Sequence, residues 1–133
     1  MQGRTEAPNS AMDEFGFEKL DVWQLGMELV DRVYVETKAL PKEELWGLVS
    51  QMRRAGVSIP SNIAEGCGTG QRQFSNFLRI ARGSSFELRT QIEIARRQTF
   101  LEDVTAKEMI AQASRVSRML DGLIRSLTTK EFK

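Results

Sequence analysis

Arginine is the residue whose number and spacing in this chain point most clearly to a chemical task. Residues 51–99 contain 8 arginines and 3 acidic residues, which gives this segment a net charge of 8 − 3 = +5. A guanidinium group fits phosphate oxygens as a planar fork and also stacks on bases. A basic segment of this kind is typical of a nucleic-acid-binding face. Six arginines of the predicted third helix are the candidate contacts: Arg72, Arg79, Arg82, Arg89, Arg96 and Arg97.

The arrangement of these six arginines also permits a structural role. At 100° per residue, one set points away from the apolar side of the helix, and a second set recurs every seven residues along its flank. Residues 1–50 contain 5 basic and 10 acidic residues, a net charge of 5 − 10 = −5, so the flank could pair with acids of the first helix or of another subunit. No aromatic residue interleaves with these arginines, which argues against base stacking. The acids in question on the first helix are Glu28, Asp31 and Glu36.

The sequence contains no histidine, the commonest general base and a common metal ligand. Ser-His-Asp triads, Cys-His pairs and HExxH sites are therefore excluded, and we predict a protein that is not an enzyme and that holds neither metal nor cofactor. Cys67 is the single cysteine and follows a predicted helix C-terminus, where a thiol is not activated. A lone cysteine forms no internal disulfide, which fits a reducing cytoplasm. No apolar run reaches about 18 residues, so no membrane span is predicted.

The stretch "VSIPSNIAEGCG" places a proline inside an apolar pattern of helical period. Because the spacing of three and four residues continues through Pro60, we predict a continuous but kinked second helix rather than a loop. Gly56, four residues earlier, would give the proline ring room. Asn62 would hydrogen-bond the carbonyls freed near the proline. Glu65 is a lone carboxylate with no second one in phase, so it is not a predicted metal ligand.

Four segments with helical apolar periodicity position these side chains. They span about 18–39, 43–66, 71–99 and 105–128, and Thr105 with Glu108 fits a capping box at the start of the fourth. Short connections between them predict an all-α, antiparallel, up-down-up-down four-helix bundle. We divide the chain into a flexible leader at 1–16, the bundle at 17–128 and a frayed end at 129–133.

Three further predictions concern contacts of the helices. The small residues Gly83, Ser84 and Ser85 would allow neighbouring helices to approach the third helix closely. Counting back from the turn between the second and third helices places Glu87 opposite Arg53 or Arg54, which predicts a salt bridge. Trp46 lies off the apolar stripe and, together with the methionines, suggests an oligomer contact. Those methionines are Met52, Met109 and Met119.

The stretch "LWGLVSQMRRAGVSIPSNIAEGCG", followed by "FSNFLRIARGSSFELRTQIEIA", resembles the four-helix bundle protein family whose founding members are encoded by intervening sequences in bacterial 23S ribosomal RNA genes. The likeness covers about residues 17–100, and the fourth helix matches in character alone. It implies a four-helix bundle that assembles as a ring-like homopentamer, and it does not imply an enzyme. The motif positions of interest here are Arg53, Arg54, Gly56, Pro60, Asn62, Glu65, Glu87 and Gln91.

The family is also distantly similar to the accessory proteins of diversity-generating retroelements, which bind a reverse transcriptase and nucleic acid through a basic surface. Two functional hypotheses follow. The first is a non-enzymatic homo-oligomer that binds nucleic acid, RNA rather than DNA, through the arginine-rich face of the second and third helices. The alternative is an oligomeric scaffold or accessory protein that binds a protein partner, such as a reverse transcriptase, with the arginines used in subunit pairing.

Overall fold

The computed structural model describes residues 16–131, and these residues form four long helices with no strand among them. The predicted all-α class is confirmed. The predicted leader lies outside the described residues except for Gly16, and so do residues 132–133. The fourth helix continues to Glu131, three residues beyond the predicted end of the bundle at 128. The helices are α1 (Asp21–Glu36), α2 (Ser50–Gly66), α3 (Gln71–Arg97) and α4 (Asp103–Glu131).

Each helix packs antiparallel against the next one, and α4 returns to pack against α1. The direction follows from the hydrogen-bonded pairs, because an early residue of one helix meets a late residue of its neighbour. Arg82 of α3 meets Asp121 of α4, whereas Arg96 meets Asp103. The bundle is therefore a closed square of four helices in up-down-up-down order. Among the described helices, none is both long enough and apolar enough to cross a lipid bilayer.

The core consists of the apolar stripes that the sequence pattern predicts. Each helix contributes fully buried aliphatic side chains, and their removal from water is the main force that holds the bundle together. Met52 and Met109 are among these core residues, so they take no part in the predicted oligomer contact; Met119 is half-buried. The fully buried side chains include Leu29, Met52, Ile59, Ile63, Leu78, Leu88, Ile92, Met109 and Leu120.

Two adjacent serines at the centre of α3 join it to both neighbouring helices. Ser84 Oγ lies 2.8 Å from Ser58 Oγ on α2. Ser85 Oγ lies 2.6 Å from Ser117 Oγ on α4, and both of these residues are buried. The predicted close approach is confirmed at the two serines. Gly83 is exposed and faces no neighbouring helix.

Pro60 lies inside α2, and the predicted continuity of the helix through it is confirmed. Its ring packs beside Gly26 of α1: a Cβ added at Gly26 would lie 3.6 Å from Pro60 Cδ. The non-helical backbone occurs earlier instead, at Gly47 (φ −108°, ψ −108°), within the short turn Leu45–Val49 that precedes α2. This turn follows a one-turn 3₁₀ segment, Lys42–Glu44.

Helix α4 begins at Asp103, two residues before the predicted N-cap. Thr105 therefore lies inside the first turn, and Glu108 does not complete a capping box. Its carboxylate accepts a hydrogen bond from Arg32 Nη2 of α1 at 2.7 Å. The capping box does not form because the helix begins at Asp103, which leaves the Glu108 side chain to make this contact with α1.

Gly66, at the end of α2, lies against the third helix. A Cβ added there would lie 2.6 Å from Phe77 Cβ, closer than side chains tolerate. The cap residue is Cys67, with φ −60°, so Gly66 is needed for close approach rather than for a left-handed cap. The left-handed conformation occurs at Gly70 (φ +89°), immediately before α3.

We expect Gly66→Ala to lower the free energy of unfolding by roughly 1–3 kcal/mol, because the added methyl group overpacks the contact with Phe77. Urea denaturation followed by circular dichroism measures this change. Gly68→Ala is the matched control, because nothing lies within 4 Å of an added Cβ there. Equal effects of the two substitutions would show that the close approach at Gly66 does not limit packing.

Candidate nucleic-acid interface

Three of the six candidate arginines are held in ion pairs within the chain. Arg82 contacts Asp121 of α4 at 2.7 Å. Arg96 contacts Glu93 at 2.8 Å and Asp103 at 3.3 Å, and Arg97 contacts the same Glu93 at 3.0 Å. The carboxylates belong to α3 and α4, so the alternative in which these arginines pair with α1 of the same chain is wrong for these three. Of the α1 acids considered, Glu36 pairs with Arg32 of its own helix.

The other three arginines of α3 form no ion pair with a described carboxylate. Arg72 and Arg79 are exposed, and Arg79 Nη1 donates to Ser75 Oγ at 2.7 Å. The guanidinium of Arg89 lies over the ring of Phe86, 5.9 Å from its centroid. Phe86 is itself exposed, so the expectation that no aromatic residue lies among the arginines is wrong at this position.

Helix α4 adds two arginines that the sequence analysis did not select. Arg118 and Arg125 lie three residues before and four residues after Asp121, and this spacing puts them on the same side of α4. Asp121 faces α3 because it pairs with Arg82. Both arginines are exposed and form no ion pair with a described residue. We call the resulting surface the basic face and define it as Arg72, Arg79, Arg82, Arg118 and Arg125.

The charge of the α3–α4 surface differs between its two ends. Near the start of α3 and the end of α4, the described ion pairs place one carboxylate, Asp121, among the arginines of the basic face. Near the opposite end, Glu93 and Asp103 balance Arg96 and Arg97. The excess of arginines is therefore larger on the basic face, where five arginines surround one paired carboxylate, than near the opposite end, where Arg89, Arg96 and Arg97 face two.

Comparison with known proteins identifies the family of this chain. The family described as 23S rRNA-intervening sequence protein matches residues 18–122, which is most of the chain. The chain belongs to the 23S rRNA-intervening sequence protein family. No curated protein matches it.

One solved structure has the same fold. It is a protein of unknown function from the S23 ribosomal protein family of Bacteroides thetaiotaomicron. The two chains are 22% identical, the alignment covers 77% of this chain and 97% of that chain, and the TM-score is 0.72. At this level of identity, the similarity supports the four-helix architecture.

In this member of the family, the predicted salt bridge of Glu87 does not form. Arg53 turns toward α1, where its Nε donates to Thr37 Oγ1 at 3.0 Å and its guanidinium lies 4.5 Å from the centroid of the Tyr34 ring. Arg54 is exposed and pairs with no described carboxylate. Glu87 accepts a hydrogen bond from Gln91 of its own helix at 3.4 Å. Counting residues from the turn places Glu87 at about the same height along the bundle as Arg53 and Arg54. It does not tell toward which helix each side chain turns.

The remaining motif residues have mainly structural contacts. Asn62 Nδ2 donates to the carbonyl and to the hydroxyl of Ser58, at 2.8 and 2.9 Å. The carbonyl freed by Pro60 is that of Gly56, so the amide does not satisfy the acceptor that the sequence suggested. Glu65 is exposed near the end of α2. Within residues 16–131, no group of three or more Cys, Asp or Glu residues is arranged to hold a metal ion.

The ion pairs at the neutral end of α3 affect proton binding. Hydrogen bonds from Arg96 and then from Arg97 lower the pKa of Glu93 to about 2. The same contact with Glu93 is the largest cause that raises the pKa of Arg96. A lowered carboxyl pKa stabilises the fold fully above the unfolded value of about 4.3, and this contribution is lost as the pH falls toward 2. The pair is partly exposed, so solvent screening keeps the contribution small.

We expect Arg96→Gln to raise the pKa of Glu93 toward its usual range, because the strongest hydrogen bond to the carboxylate is removed. Carboxyl chemical shifts followed by NMR between pH 1.5 and 6 measure the change. Arg72→Gln is the control, because Arg72 contacts no described carboxylate. An unchanged Glu93 titration in Arg96→Gln would contradict the assigned cause.

Proposed function

We propose that this protein is a non-enzymatic, cytoplasmic homo-oligomer that binds nucleic acid, RNA in preference to DNA, through the basic face. The observation that supports this most strongly is the juxtaposition of arginines from α3 and α4 around Asp121. Sequence order separates these arginines, and the fold brings them onto one side of the bundle. The preference for RNA rests on the family, which is named for intervening sequences of 23S rRNA.

The basic face would contact the phosphate backbone rather than the bases. Its five members are all arginines, and each guanidinium can donate two hydrogen bonds to one phosphate. Arg72 and Arg79 are seven residues apart, as are Arg118 and Arg125, which is ~10 Å along a helix. Two parallel rows of this kind fit the backbone of a folded RNA. Binding of this type releases counterions, so the affinity falls steeply as the salt concentration rises.

Self-association would increase the affinity of the protein for RNA. We propose the ring-like homopentamer that the family resemblance implies. Each copy then contributes one basic face, and an RNA long enough to reach two of them binds more tightly than it does to a single copy. The subunit number is measured directly by multi-angle light scattering on the purified protein.

A second candidate function is supported by a different observation. Trp46 is 89% exposed, and exposed tryptophans are enriched in protein interfaces. An oligomeric scaffold that binds a protein partner would use this residue rather than the basic face. The two functions are separable, because Trp46 lies on the helix pair opposite the α3–α4 surface.

We expect the double substitution Arg79→Glu/Arg118→Glu to weaken RNA binding and to lower the salt slope by about two, because two phosphate contacts are lost. Fluorescence anisotropy with a labelled hairpin RNA at several salt concentrations measures both effects. Lys19→Glu/Lys38→Glu is the matched control: it changes the charge equally, and both lysines are exposed on the α1 side of the bundle. The same hairpin made as DNA tests the preference.

The outcomes of this titration separate the two candidate functions. Absence of RNA binding at low salt, or an affinity that does not fall with salt, would exclude the proposed function. If both double variants lose affinity equally, net charge is responsible rather than the basic face. If Arg79→Glu/Arg118→Glu dissolves the oligomer, the arginines serve subunit pairing, as the scaffold hypothesis requires.

We expect Asp121→Asn to strengthen RNA binding, because it removes the one carboxylate placed among the arginines and frees Arg82 for phosphate. The ion pair is about one-third exposed, so the free energy of unfolding should change by less than ~1 kcal/mol. The same anisotropy titration measures the affinity, and urea denaturation measures the stability. A weaker affinity would indicate that Asp121 positions Arg82 for binding instead of competing with RNA.

A further inference from the structure

An exposed tryptophan lies beside a groove between α1 and α2. Trp46 is 89% exposed and sits in the short turn that precedes α2. Tyr34, Leu45 and Val57 are 41%, 46% and 39% exposed around it. The groove that they line has a volume of about 540 Å³. We call this surface the Trp46 groove and define it as Tyr34, Leu45, Trp46, Arg53, Arg54 and Val57.

One wall of the Trp46 groove is ordered before any partner binds. The guanidinium of Arg53 covers the Tyr34 ring, and its Nε donates to Thr37 Oγ1. The Thr37 hydroxyl is buried and in turn donates to the carbonyl of Val33 at 2.6 Å. A surface fixed in this way loses little side-chain entropy on association.

The charge of the Trp46 groove indicates the chemistry of its occupant. Two arginines line it and no acidic residue does. Neither arginine forms an ion pair with a described carboxylate. An apolar surface that also carries acidic residues is therefore complementary to the groove. A nucleic acid finds fewer surfaces to stack on, because Arg53 already covers one face of Tyr34 and, apart from Trp46 and Arg54, the other residues that define the groove are aliphatic.

The chain itself presents such a surface on α1. Glu28, Asp31 and Val35 are exposed and spaced by three and four residues, so they lie along one side of the helix. Met27 is exposed beside them. Neither acid forms an ion pair with a described residue. We call these four residues the acidic stripe.

We propose that the Trp46 groove of one copy receives the acidic stripe of a second copy, so that the chains associate head to tail. This inference rests on the self-association proposed above. The indole of Trp46 packs on Val35 of the second copy, and Arg54 pairs with Asp31 or Glu28. Because groove and stripe are different patches, each copy uses one of each, and such a contact closes into a ring when the rotation permits.

Removal of the tryptophan side chain tests the apolar part of the contact. Trp46→Ala raises the dissociation constant of the assembly about 30-fold, as expected for a central interface tryptophan. Light scattering over a dilution series measures this. Val104→Ala is the matched control, because Val104 is 60% exposed and belongs to neither surface. In a Trp23→Phe background, the emission of Trp46 shifts to the blue as the protein assembles.

A charge exchange tests the polar part. Arg54→Glu and Asp31→Arg each shift the protein toward monomer, and the chain that carries both substitutions recovers the native mass. Arg115→Glu and Glu87→Arg make the same charge changes at exposed sites outside the two surfaces, and they leave the mass unchanged. Failure of the double variant to recover would overturn the pairing of groove and stripe.

Disulfide trapping tests the head-to-tail arrangement in a Cys67→Ser background that retains the native mass. The Arg54→Cys and Asp31→Cys proteins carry tags of different length. Each is oxidised on its own, and a mixture of the two is oxidised in parallel. The proposal expects a linked product only in the mixture. A linked product from either protein alone would overturn the pairing of Arg54 with Asp31. A chain that carries both cysteines should link into species larger than a dimer, whereas a two-fold pair stops at the covalent dimer and would overturn the head-to-tail arrangement.

The outcomes also distinguish this proposal from the function on which it rests. A native protein that stays monomeric at all concentrations refutes both. If the native protein is an oligomer and neither Trp46→Ala nor the charge exchange changes its mass or dissociation constant, the docking proposal is overturned. The proposed function is then unaffected. Loss of RNA binding in Trp46→Ala with an intact assembly assigns the groove to nucleic acid and likewise overturns the proposal.

Discussion

The register of the bundle depends on two hydroxyl pairs at the centre of α3. Ser84 and Ser85 are adjacent in sequence, and a helix turns by 100° per residue, so their side chains point toward different neighbours. One hydroxyl meets Ser58 of α2 and the other meets Ser117 of α4. An apolar stripe alone permits sliding by a turn, because one leucine packs much like another. The hydroxyl pairs disfavour such a shift, since each pair would lose its hydrogen bond between helices.

The same register determines where the charge of the molecule is neutralised. With Ser85 level with Ser117, Arg82 falls beside Asp121, and toward the other end Arg96 falls beside Asp103. Arg118 and Arg125 then lie on the side of α4 that is next to α3, beside the arginines of that helix. A shift of one turn between α3 and α4 would disperse this cluster without changing the composition of either helix. The surface potential is thus a property of helix alignment and not of arginine content.

The sequence predicted the helices well because their apolar periodicity is local information. It predicted continuity through Pro60 for the same reason: the phase of Ile59 and Ile63 is preserved across the proline. It failed where a contact between distant residues decided the outcome. Glu108 pairs with Arg32 of α1 instead of capping α4.

The candidate site was predicted in part for the same physical reason. Helical spacing identified the outward arginines of α3, but whether each meets a carboxylate depends on the facing helix. Arg118 and Arg125 were missed because nothing in their own segment distinguishes them from solvated surface residues. The local sequence indicates their position only through their spacing of three and four residues from Asp121. This spacing becomes informative once Asp121 is known to face Arg82.

The position of Pro60 against Gly26 has a consequence for how the bundle opens. A proline supplies no amide hydrogen, so α2 lacks the backbone hydrogen bond from position 60 to the carbonyl of Gly56. The turns from Ser61 to Gly66 are therefore held less by their own helix than by the contacts of Pro60 with α1 and of Gly66 with α3. Undocking of α1 would loosen these turns first. We therefore expect the end of α2 to open as a separate cooperative unit, whose stability reports whether the first helix is in place.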